Sequence, residues 1–178
     1  MKSAPDAVEA VDSPTSGTEA DSRLQDRFVA PATAIPVVVL LLDQLTKAWV
    51  RAELTLGEPV RVIGDWVRLL YIHNEGAAFG LHVGRYSPTI FLIVASVVSL
   101  AVLVLYVQTP LHLRLERVAL AMILGGALGN IIDRIRWQRV VDFLQVGVDG
   151  HYWPIFNVAD SAVTIGVVLL AYEYLFRR

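Results

Sequence analysis

Three stretches of this chain are apolar over the length that an α-helix needs to cross a lipid bilayer, which is about 20 residues. They cover residues 88–108, 118–135 and 156–176. Hydrophobic residues make up 55% of the whole chain and charged residues 18%, which is too apolar for an ordinary soluble domain of 178 residues. The sequence therefore predicts a small integral membrane protein.

A fourth apolar stretch, residues 28–50, is less regular. Two prolines and three polar residues interrupt it: Pro31, Pro36, Asp43, Gln44 and Lys47. With this stretch included, the chain has four spans and both termini on one side of the membrane. The expected fold is an all-α membrane protein with four transmembrane helices.

The connections between the spans carry different patterns. VRVIGDWVRLLYI, residues 60–72, alternates β-branched and aromatic residues around a Gly-Asp turn, which is typical of a β-hairpin. We expect a small β-rich element at the membrane surface over about residues 55–85, between helices 1 and 2. Residues 136–155 are interpreted as a polar and aromatic connection, whose Trp and Tyr side chains suit the interface.

Residues 1–27 contain six acidic and three basic residues and few large apolar groups, so they are expected to form a disordered acidic tail ahead of a membrane domain at 28–178. A cleaved signal peptide is not expected, because the start of the chain lacks an apolar stretch. The fifteen Lys and Arg residues are scattered, so no nucleic-acid partner is expected. Cysteine is absent, which excludes disulfides and thiolate chemistry.

Spans of alternating direction bring most of the polar residues of the membrane domain to one face of the bilayer. The group comprises Asp43, Lys47, Asn74, Glu75, Asn130, Asp133, Arg134, Asp142, Asn157 and Asp160. An ionisable residue at the centre of a membrane helix costs about 2.5–3.5 kcal/mol, so such residues usually face a protein interior or a watery cavity and serve a function. A functional site is therefore expected at this face.

Some members of this group have internal partners. Asp43 and Lys47 are spaced i,i+4, so a helix brings them together as an ion pair. Asn130, Asp133 and Arg134 share one face of a helix, and the small residues of GGALGN, 125–130, allow another helix to approach closely. A supporting role is the simpler interpretation of both sets.

Asp142 and Asp160 differ, because neither has a cation at a helical offset in its own element. Two carboxylates in a low-dielectric cleft share a proton, so one can act as general base on water and the other as general acid. This is the chemistry of an aspartic protease. The alternative is that both are fixtures of helix ends, with Asp142 paired to Arg139 and Asp160 placed at the positive end of its helix.

Five motifs of this chain together resemble those of the lipoprotein signal peptidases, also called signal peptidase II. The similarity extends over about residues 35–172, with the motifs in the family's order. They are DQLTK at 43–47, NEGAAFG at 74–80, GNIIDR at 129–134, VVDF at 140–143 and FNVADSAVTIG at 156–166.

The resemblance implies a four-helix bacterial inner-membrane aspartic endopeptidase with both termini in the cytoplasm and its site near the periplasmic or outer face. Its partners would be membrane lipids and a prolipoprotein that carries diacylglycerol on a cysteine, and it would cut immediately before that cysteine. We expect a monomer with no cofactor. No metal is expected either, since His73, His82, His112 and His151 lack the short spacing of metal ligands.

The resemblance also assigns roles to residues. Asp142 and Asp160 would be the catalytic pair. Supporting or substrate-binding positions would be Asp43, Lys47, Asn74, Gly76, Asn130, Asp133, Arg134, Asn157 and Ala159, and residues 55–85 would form the family's surface β-cradle. The chain departs from the family at Gln138, where a glycine is usual four residues before the VVDF aspartate, and in its acidic tail.

Residues at this face of the membrane would also suit two other functions. Ser161 and Lys47 could form a Ser/Lys protease pair. However, Ser161 neighbours Asp160 on a helix and points in a different direction, and Lys47 already has Asp43 as a partner. A proton-coupled transporter also uses intramembrane acids, but it needs polar groups through the whole depth of the membrane, and here they gather at one face.

Overall fold

The computed structural model describes residues 16–76 and 86–176, with side chains from residue 34 onward. In these residues, four helices and four strands follow one another. The helices are α1 (Ser16–Glu53), α2 (Ser87–Gln108), α3 (Arg114–Trp137) and α4 (Val158–Phe176), and the strands are β1 (Pro59–Ile63), β2 (Val67–Asn74), β3 (Val140–Val148) and β4 (His151–Tyr152).

Three of the helices match the apolar stretches of the sequence. In the described part of the chain, α2, α3 and α4 are long and apolar enough to cross a membrane. The expected fourth span, residues 28–50, lies within α1, and its crossing of the membrane stays a prediction. α1 begins at Ser16, so residues 16–27 of the expected disordered tail are helical here, and residues 1–15 lie outside the described residues.

α3 is the central helix of the bundle and packs against α1, α2 and α4. Its glycines make this close packing possible. A Cβ added at Gly129 would lie 2.5 Å from Oδ2 of Asp43 on α1, and one added at Gly125 would lie 2.8 Å from the carbonyl oxygen of Pro36. A Cβ on Gly126 would collide with the carbonyl oxygen of Ala159 on α4. The expectation that GGALGN admits neighbouring helices is therefore confirmed.

The sheet is antiparallel, with strand order β1-β2-β3-β4. β1 and β2 form the hairpin that VRVIGDWVRLLYI predicts, with Gly64 at its turn in a left-handed conformation (φ +50°). Residues 77–85, the rest of the expected β-cradle, lie outside the described residues. Apolar side chains of the sheet pack against the end of α1: Val50, Tyr71, Val141 and Phe143 form one buried cluster.

The interpretation of residues 136–155 as a connection was wrong. This segment contains β3 and β4, so the sheet is completed by residues that follow α3 and is not confined to the region between helices 1 and 2. The first four residues of β3 are all buried, which removes the alternation by which a half-exposed strand is detected. Asp142 consequently lies on a strand, opposite Ile72 of β2.

Gln138 ends α3 in a left-handed conformation (φ 55°, ψ 20°), and its backbone N–H donates to the carbonyl oxygen of Arg134 at 3.0 Å. Glycine adopts this conformation without a steric cost, whereas a residue with a Cβ does so at a penalty. The chain therefore keeps a glycine-type turn into β3 even though its residue here is glutamine.

Candidate active site

Asp142 is 1% exposed and is held by two asparagines. The side chain of Asn74, at the end of β2, donates to Oδ2 at 2.9 Å, and that of Asn157 donates to Oδ1 at 2.7 Å. Burial of the carboxyl, together with the nearby charge of Asp160, raises the pKa of Asp142 to about 7, although both asparagine hydrogen bonds oppose the shift. Asp142 is therefore poised to exchange a proton near neutral pH.

Asp160 lies in the first turn of α4 and takes part in a reciprocal capping arrangement with Asn157. Oδ1 of Asn157 accepts the backbone N–H of Asp160 at 2.8 Å, and Oδ2 of Asp160 accepts the backbone N–H of Asn157 at 3.2 Å. This is the geometry of a capping box. The helix-end role expected as the alternative is thus present, but it uses one oxygen of the carboxylate.

The other oxygen of Asp160 connects it to a second asparagine. Nδ2 of Asn130, on α3, donates to Oδ1 of Asp160 at 2.8 Å. Asn157 donates from Nδ2 both to Asp142 and, at 3.2 Å, to Oδ1 of Asn130. Asp142 and Asp160, hereafter the dyad, are therefore linked through amides, and in the described part of the chain neither carboxylate has a cation within 4 Å.

Lys47 forms a separate charged group with Asp43 and Asp133, hereafter the lysine cluster. All three side chains are 0–1% exposed. Nζ of Lys47 lies 2.8 Å from Oδ2 of Asp43 and 3.0 Å from Oδ2 of Asp133, and it donates to Oδ1 of Asn130 at 3.0 Å. The expected i,i+4 pair is confirmed. The additional bond fixes the amide of Asn130 so that its Nδ2 faces Asp160.

The lysine cluster also holds the backbone next to each member of the dyad. Oδ2 of Asp133 accepts the N–H of Val141, the residue before Asp142, at 3.2 Å. Oδ1 of Asp43 accepts the N–H of the fully buried Ala159, the residue before Asp160, at 3.0 Å. One buried cation thus sits between two carboxylates that each fix one side of the dyad.

Gln44 completes this arrangement, and sequence reasoning missed it. Its Nε2 lies within hydrogen-bond distance of Oδ2 of Asp43 (3.2 Å), Oδ1 of Asp133 (3.1 Å) and the carbonyl oxygen of Gly129 (3.2 Å). The signal that could have found it is a third polar residue in an apolar stretch, three positions before Lys47.

The remaining expected residues surround the dyad. The N–H of Gly76 donates to Oδ1 of Asn74 at 2.9 Å, which orients the Asn74 amide toward Asp142. Gly76 has φ +104°, and a Cβ there would lie 2.5 Å from the ring of Phe91, so glycine is required. Arg134 donates to the carbonyl oxygen of Asn130 at 3.3 Å and is attracted electrostatically by Asp160, Asp142 and Asp133.

The Ser/Lys pair is not assembled. Ser161 donates its hydroxyl to the carbonyl oxygen of Asn157 at 2.9 Å, as a helix residue often does with the preceding turn. Nζ of Lys47 has Asp43, Asp133 and Asn130 as partners, which match its three donors. The structure therefore offers Ser161 no general base at Lys47.

Two cavities meet at the dyad. One, of about 280 Å³, is lined by Ile72, His73, Asn74, Glu75, Asp142, Pro154 and Ile155. The other, of about 660 Å³, is lined mainly by apolar groups and reaches Asp160: Asn74, Val146, Trp153, Pro154, Ile155, Phe156, Asp160, Ser161, Thr164 and Ile165. Each carboxylate therefore faces a space that a substrate can enter, and the larger space is apolar.

The chain is similar to known proteins over most of its length. The family model described as Signal peptidase (SPase) II matches residues 35–176. The chain is 44% identical over 159 residues to the lipoprotein signal peptidase of Desulforapulum autotrophicum, covering 87% of this chain and 98% of that protein. It is 41% identical over 145 residues to the lipoprotein signal peptidase of Moorella thermoacetica, covering 82% and 93%.

The fold is similar to that of a bacterial membrane enzyme solved at 1.9 Å resolution by the in meso method. The TM-score is 0.75 at 32% sequence identity, and the match covers 85% of this chain and 96% of the solved one.

Proposed function

The chain belongs to the signal peptidase II family of aspartic peptidases, and from this premise we propose that it removes the signal peptide from diacylglyceryl-modified prolipoproteins. Cleavage falls immediately before the lipidated cysteine. The observation that carries the proposal is the dyad itself: two carboxyl groups at the meeting point of two cavities, approached by amides instead of cations. Asn157 links them, because its side-chain Nδ2 donates to Asp142 and its backbone N–H donates to Asp160.

The dyad activates water by sharing one proton. Asp142, with its pKa raised to about 7 by burial and by the charge of Asp160, holds that proton at the start of the cycle. Asp160, whose carboxylate is stabilised by Asn130 and by the helix N-terminus, is the ionised partner. Asp160 is therefore the general base and Asp142 the general acid.

The two aspartates transfer the protons that hydrolysis of the peptide bond requires. The water oxygen attacks the scissile carbonyl carbon while one water proton moves to Asp160 and the Asp142 proton moves to the carbonyl oxygen, which gives a tetrahedral diol. The C–N bond breaks as Asp160 returns its proton to the leaving nitrogen. Asp142 regains a proton from one diol hydroxyl, and the new carboxyl group forms on the signal peptide. The two groups titrate as a pair throughout.

The supporting residues hold the side chains and backbone around the dyad in place. Lys47 sets the orientation of Asn130, and Asp43 and Asp133 hold the backbone before Asp160 and before Asp142. Asn74, Gly76, Arg134, Asn157 and Ala159 fix the amides and carbonyls that surround the dyad. These groups keep the two carboxyl groups at a constant separation, which water activation between them requires.

The proposed orientation follows the family. Residues 28–50 cross the membrane as the fourth span, both termini are cytoplasmic, and the dyad lies near the outer face of the bacterial inner membrane. The larger, apolar cavity lets the acyl chains and the signal peptide reach the dyad from the lipid. The protein works as a monomer, and residues 1–27 lie outside the peptidase domain.

The test is cleavage of a purified prolipoprotein in detergent, with the products identified by mass spectrometry. The expected products are a released signal peptide and a mature chain that begins at the diacylglyceryl cysteine. The same prolipoprotein without the lipid should be cut much more slowly. Cleavage at another bond would overturn the proposed site, and equal cleavage of the unlipidated protein would overturn the proposed substrate class.

A matched variant tests the rival nucleophile. Ser161→Ala should keep most of the activity, because the Ser161 hydroxyl is bonded to a helix carbonyl and has no role in the mechanism. Near-complete loss of cleavage in folded Ser161→Ala would favour serine chemistry instead.

A further inference from the structure

A second polar cavity, of about 460 Å³, lies at the far end of the sheet, where the β1-β2 and β3-β4 hairpins meet. Its lining residues are Arg61, Asp65, Trp66, Arg68, Asp149, Gly150 and Tyr152. None of them lines the two cavities at the dyad, and its volume is within the range of about 300–1,000 Å³ that is usual for small-ligand sites. We propose that this cavity binds the headgroup of a zwitterionic phospholipid.

The cavity is separate from the dyad along the sheet. Ile72 of β2 is the register partner of Asp142, and Arg68 is four residues earlier on the same strand. At about 3.3 Å per residue, the cavity begins roughly 13 Å from the strand position beside Asp142. The peptidase mechanism does not use any of its residues, so this proposal is independent of the proposed function.

Two arginines give the cavity affinity for phosphate. Arg61 on β1 and Arg68 on β2 are direct register partners, so both side chains lie on the same face of the hairpin. Like charges opposite each other destabilise a sheet, which makes this pair costly unless an anion lies between them. Two guanidinium groups on one face are the arrangement that binds a phosphate through several charge-assisted hydrogen bonds.

The protein itself neutralises this pair incompletely. Oδ1 of Asp65 is shared: it lies 3.2 Å from Nε of Arg61 and 3.8 Å from Nη2 of Arg68, and the second distance is too long for a hydrogen bond. In the part of the chain that the structure describes, Nε of Arg68 has no hydrogen-bond partner. The guanidinium of Arg68 is held in place by Tyr152, whose ring lies 4.0 Å below it.

Acidic and aromatic residues in the same cavity select a headgroup that also carries an amine. Asp149, at the β3-β4 turn, has no ion pair within the described residues, and Asp65 is 58% exposed. With two arginines and two aspartates the lining carries no net charge, so a purely anionic ligand gains less than a zwitterion does. The exposed indole of Trp66 adds a face that attracts ammonium groups.

The surroundings of the cavity indicate that the ligand belongs to the membrane. Val62, Ile63 and Val148, beside the lining residues, are each more than half exposed, as is Trp66. Such a group of exposed apolar and aromatic side chains, next to arginines and outside the spanning helices, is typical of a surface that lies at the level of lipid headgroups. The headgroup site would fix the height of the sheet, and with it that of β3, relative to the bilayer.

The test compares lipid retention in the full-length protein and its variants. Each is passed through bilayer nanodiscs of equal parts phosphatidylethanolamine and phosphatidylglycerol, released into an uncharged detergent and examined by native mass spectrometry. Wild type should retain phosphatidylethanolamine in preference. Arg61→Gln and Arg68→Gln should each reduce that retention about tenfold, the effect of losing one charge-assisted hydrogen bond.

Arg136→Gln, a substitution of an exposed arginine outside the cavity, is the matched control and should retain lipid as wild type does. Because Arg61 is 72% exposed, Arg61→Gln should leave packing intact, which thermal unfolding would verify. Asp149→Asn should shift the preference toward phosphatidylglycerol.

Three results of the lipid-retention experiment would overturn the proposal. They are equal retention of the two lipids by wild type, wild-type retention by folded Arg61→Gln and Arg68→Gln, and an unchanged preference in Asp149→Asn. Photocrosslinking from position 66 that captured the prolipoprotein chain and no lipid would assign the cavity to polypeptide and would also overturn it.

Discussion

The same end of the helix bundle contains two pairs of aspartates, and they differ in what lies between them. Asp43 and Asp133 have the Lys47 ammonium between them, at 2.8 and 3.0 Å. Between Asp142 and Asp160 lies Asn157, whose side-chain Nδ2 donates to Asp142 and whose backbone N–H donates to Asp160. The first pair is bound to a cation and holds the backbone, whereas the second has, among the described residues, no cation between its members. The two pairs therefore differ in counter-charge and not in the number of carboxylates.

Removal of the Lys47 ammonium should have the largest effect on stability. Lys47→Met leaves Asp43 and Asp133 as buried carboxylates with no counter-charge, which costs about 3–5 kcal/mol of folding free energy. Chemical unfolding in detergent should show this loss. Arg136→Met, at an exposed arginine, is the control and should change stability little. Near-wild-type stability of Lys47→Met would mean that the ion pairs of Lys47 with Asp43 and Asp133 do not stabilise the fold.

The pH profile examines the other pair. With a pKa of about 7, Asp142 is protonated below that pH and ionised above it. As the general acid it should lose activity by about tenfold per pH unit above 7, because each unit corresponds to 1.36 kcal/mol. Cleavage rates measured at saturating substrate between pH 5 and pH 9 would check this. Activity that rises through pH 7 would exchange the roles of the two aspartates.

Asn74→Ala sharpens the same measurement. The Asn74 hydrogen bond favours the ionised form of Asp142, so its loss should raise the pKa and move the fall in activity to higher pH.

The raised pKa of Asp142 also affects the stability of the fold. Between pH 3.8 and about 7 the folded protein holds a proton that the unfolded chain releases, so stability should fall as the pH rises through this window. Asp142→Asn should lack this dependence of stability on pH.

Gln44 tests how far the lysine cluster depends on neutral donors. Gln44→Leu removes the amide between Asp43 and Asp133 and should destabilise the protein by about 1–3 kcal/mol, the cost of unsatisfied buried acceptors. Thr46→Val is the matched control on the same helix. It removes a hydroxyl that bonds only to the preceding helical turn, so it should change stability by less than about 0.5 kcal/mol. Equal effects of the two changes would remove Gln44 from the cluster.

Gln138 gives the smallest expected effect. Gln138→Gly relieves a left-handed conformation at the turn into β3 but adds freedom to the unfolded chain, so a gain of about 0.5–1 kcal/mol is expected. The melting temperature in detergent would measure it. A loss of stability would mean that the glutamine side chain contributes contacts that outweigh the backbone strain.

Much of the site could be predicted from sequence because its residues recur at helical spacing or at motif positions. The i,i+4 spacing of Asp43 and Lys47 predicts their ion pair. The alternating direction of the spans predicts that Asp142 and Asp160 lie at one face of the bilayer. β3 could not be predicted, because a strand buried along its first half lacks alternation. Gln44 could not be assigned either, since its partners Asp133 and Gly129 lie more than eighty positions away.

The central claim is that Asp142 and Asp160 carry out the chemistry whereas Asp43 and Asp133 hold the frame. Single-turnover cleavage of a diacylglyceryl-modified prolipoprotein by wild type, Asp142→Asn and Asp160→Asn, each with its fold verified by thermal unfolding, tests it directly. The expected result is a loss of at least about a thousandfold in both folded variants, since each removes one proton-transfer group. Near-normal cleavage by either folded variant would contradict the claim and reduce that aspartate to a structural residue.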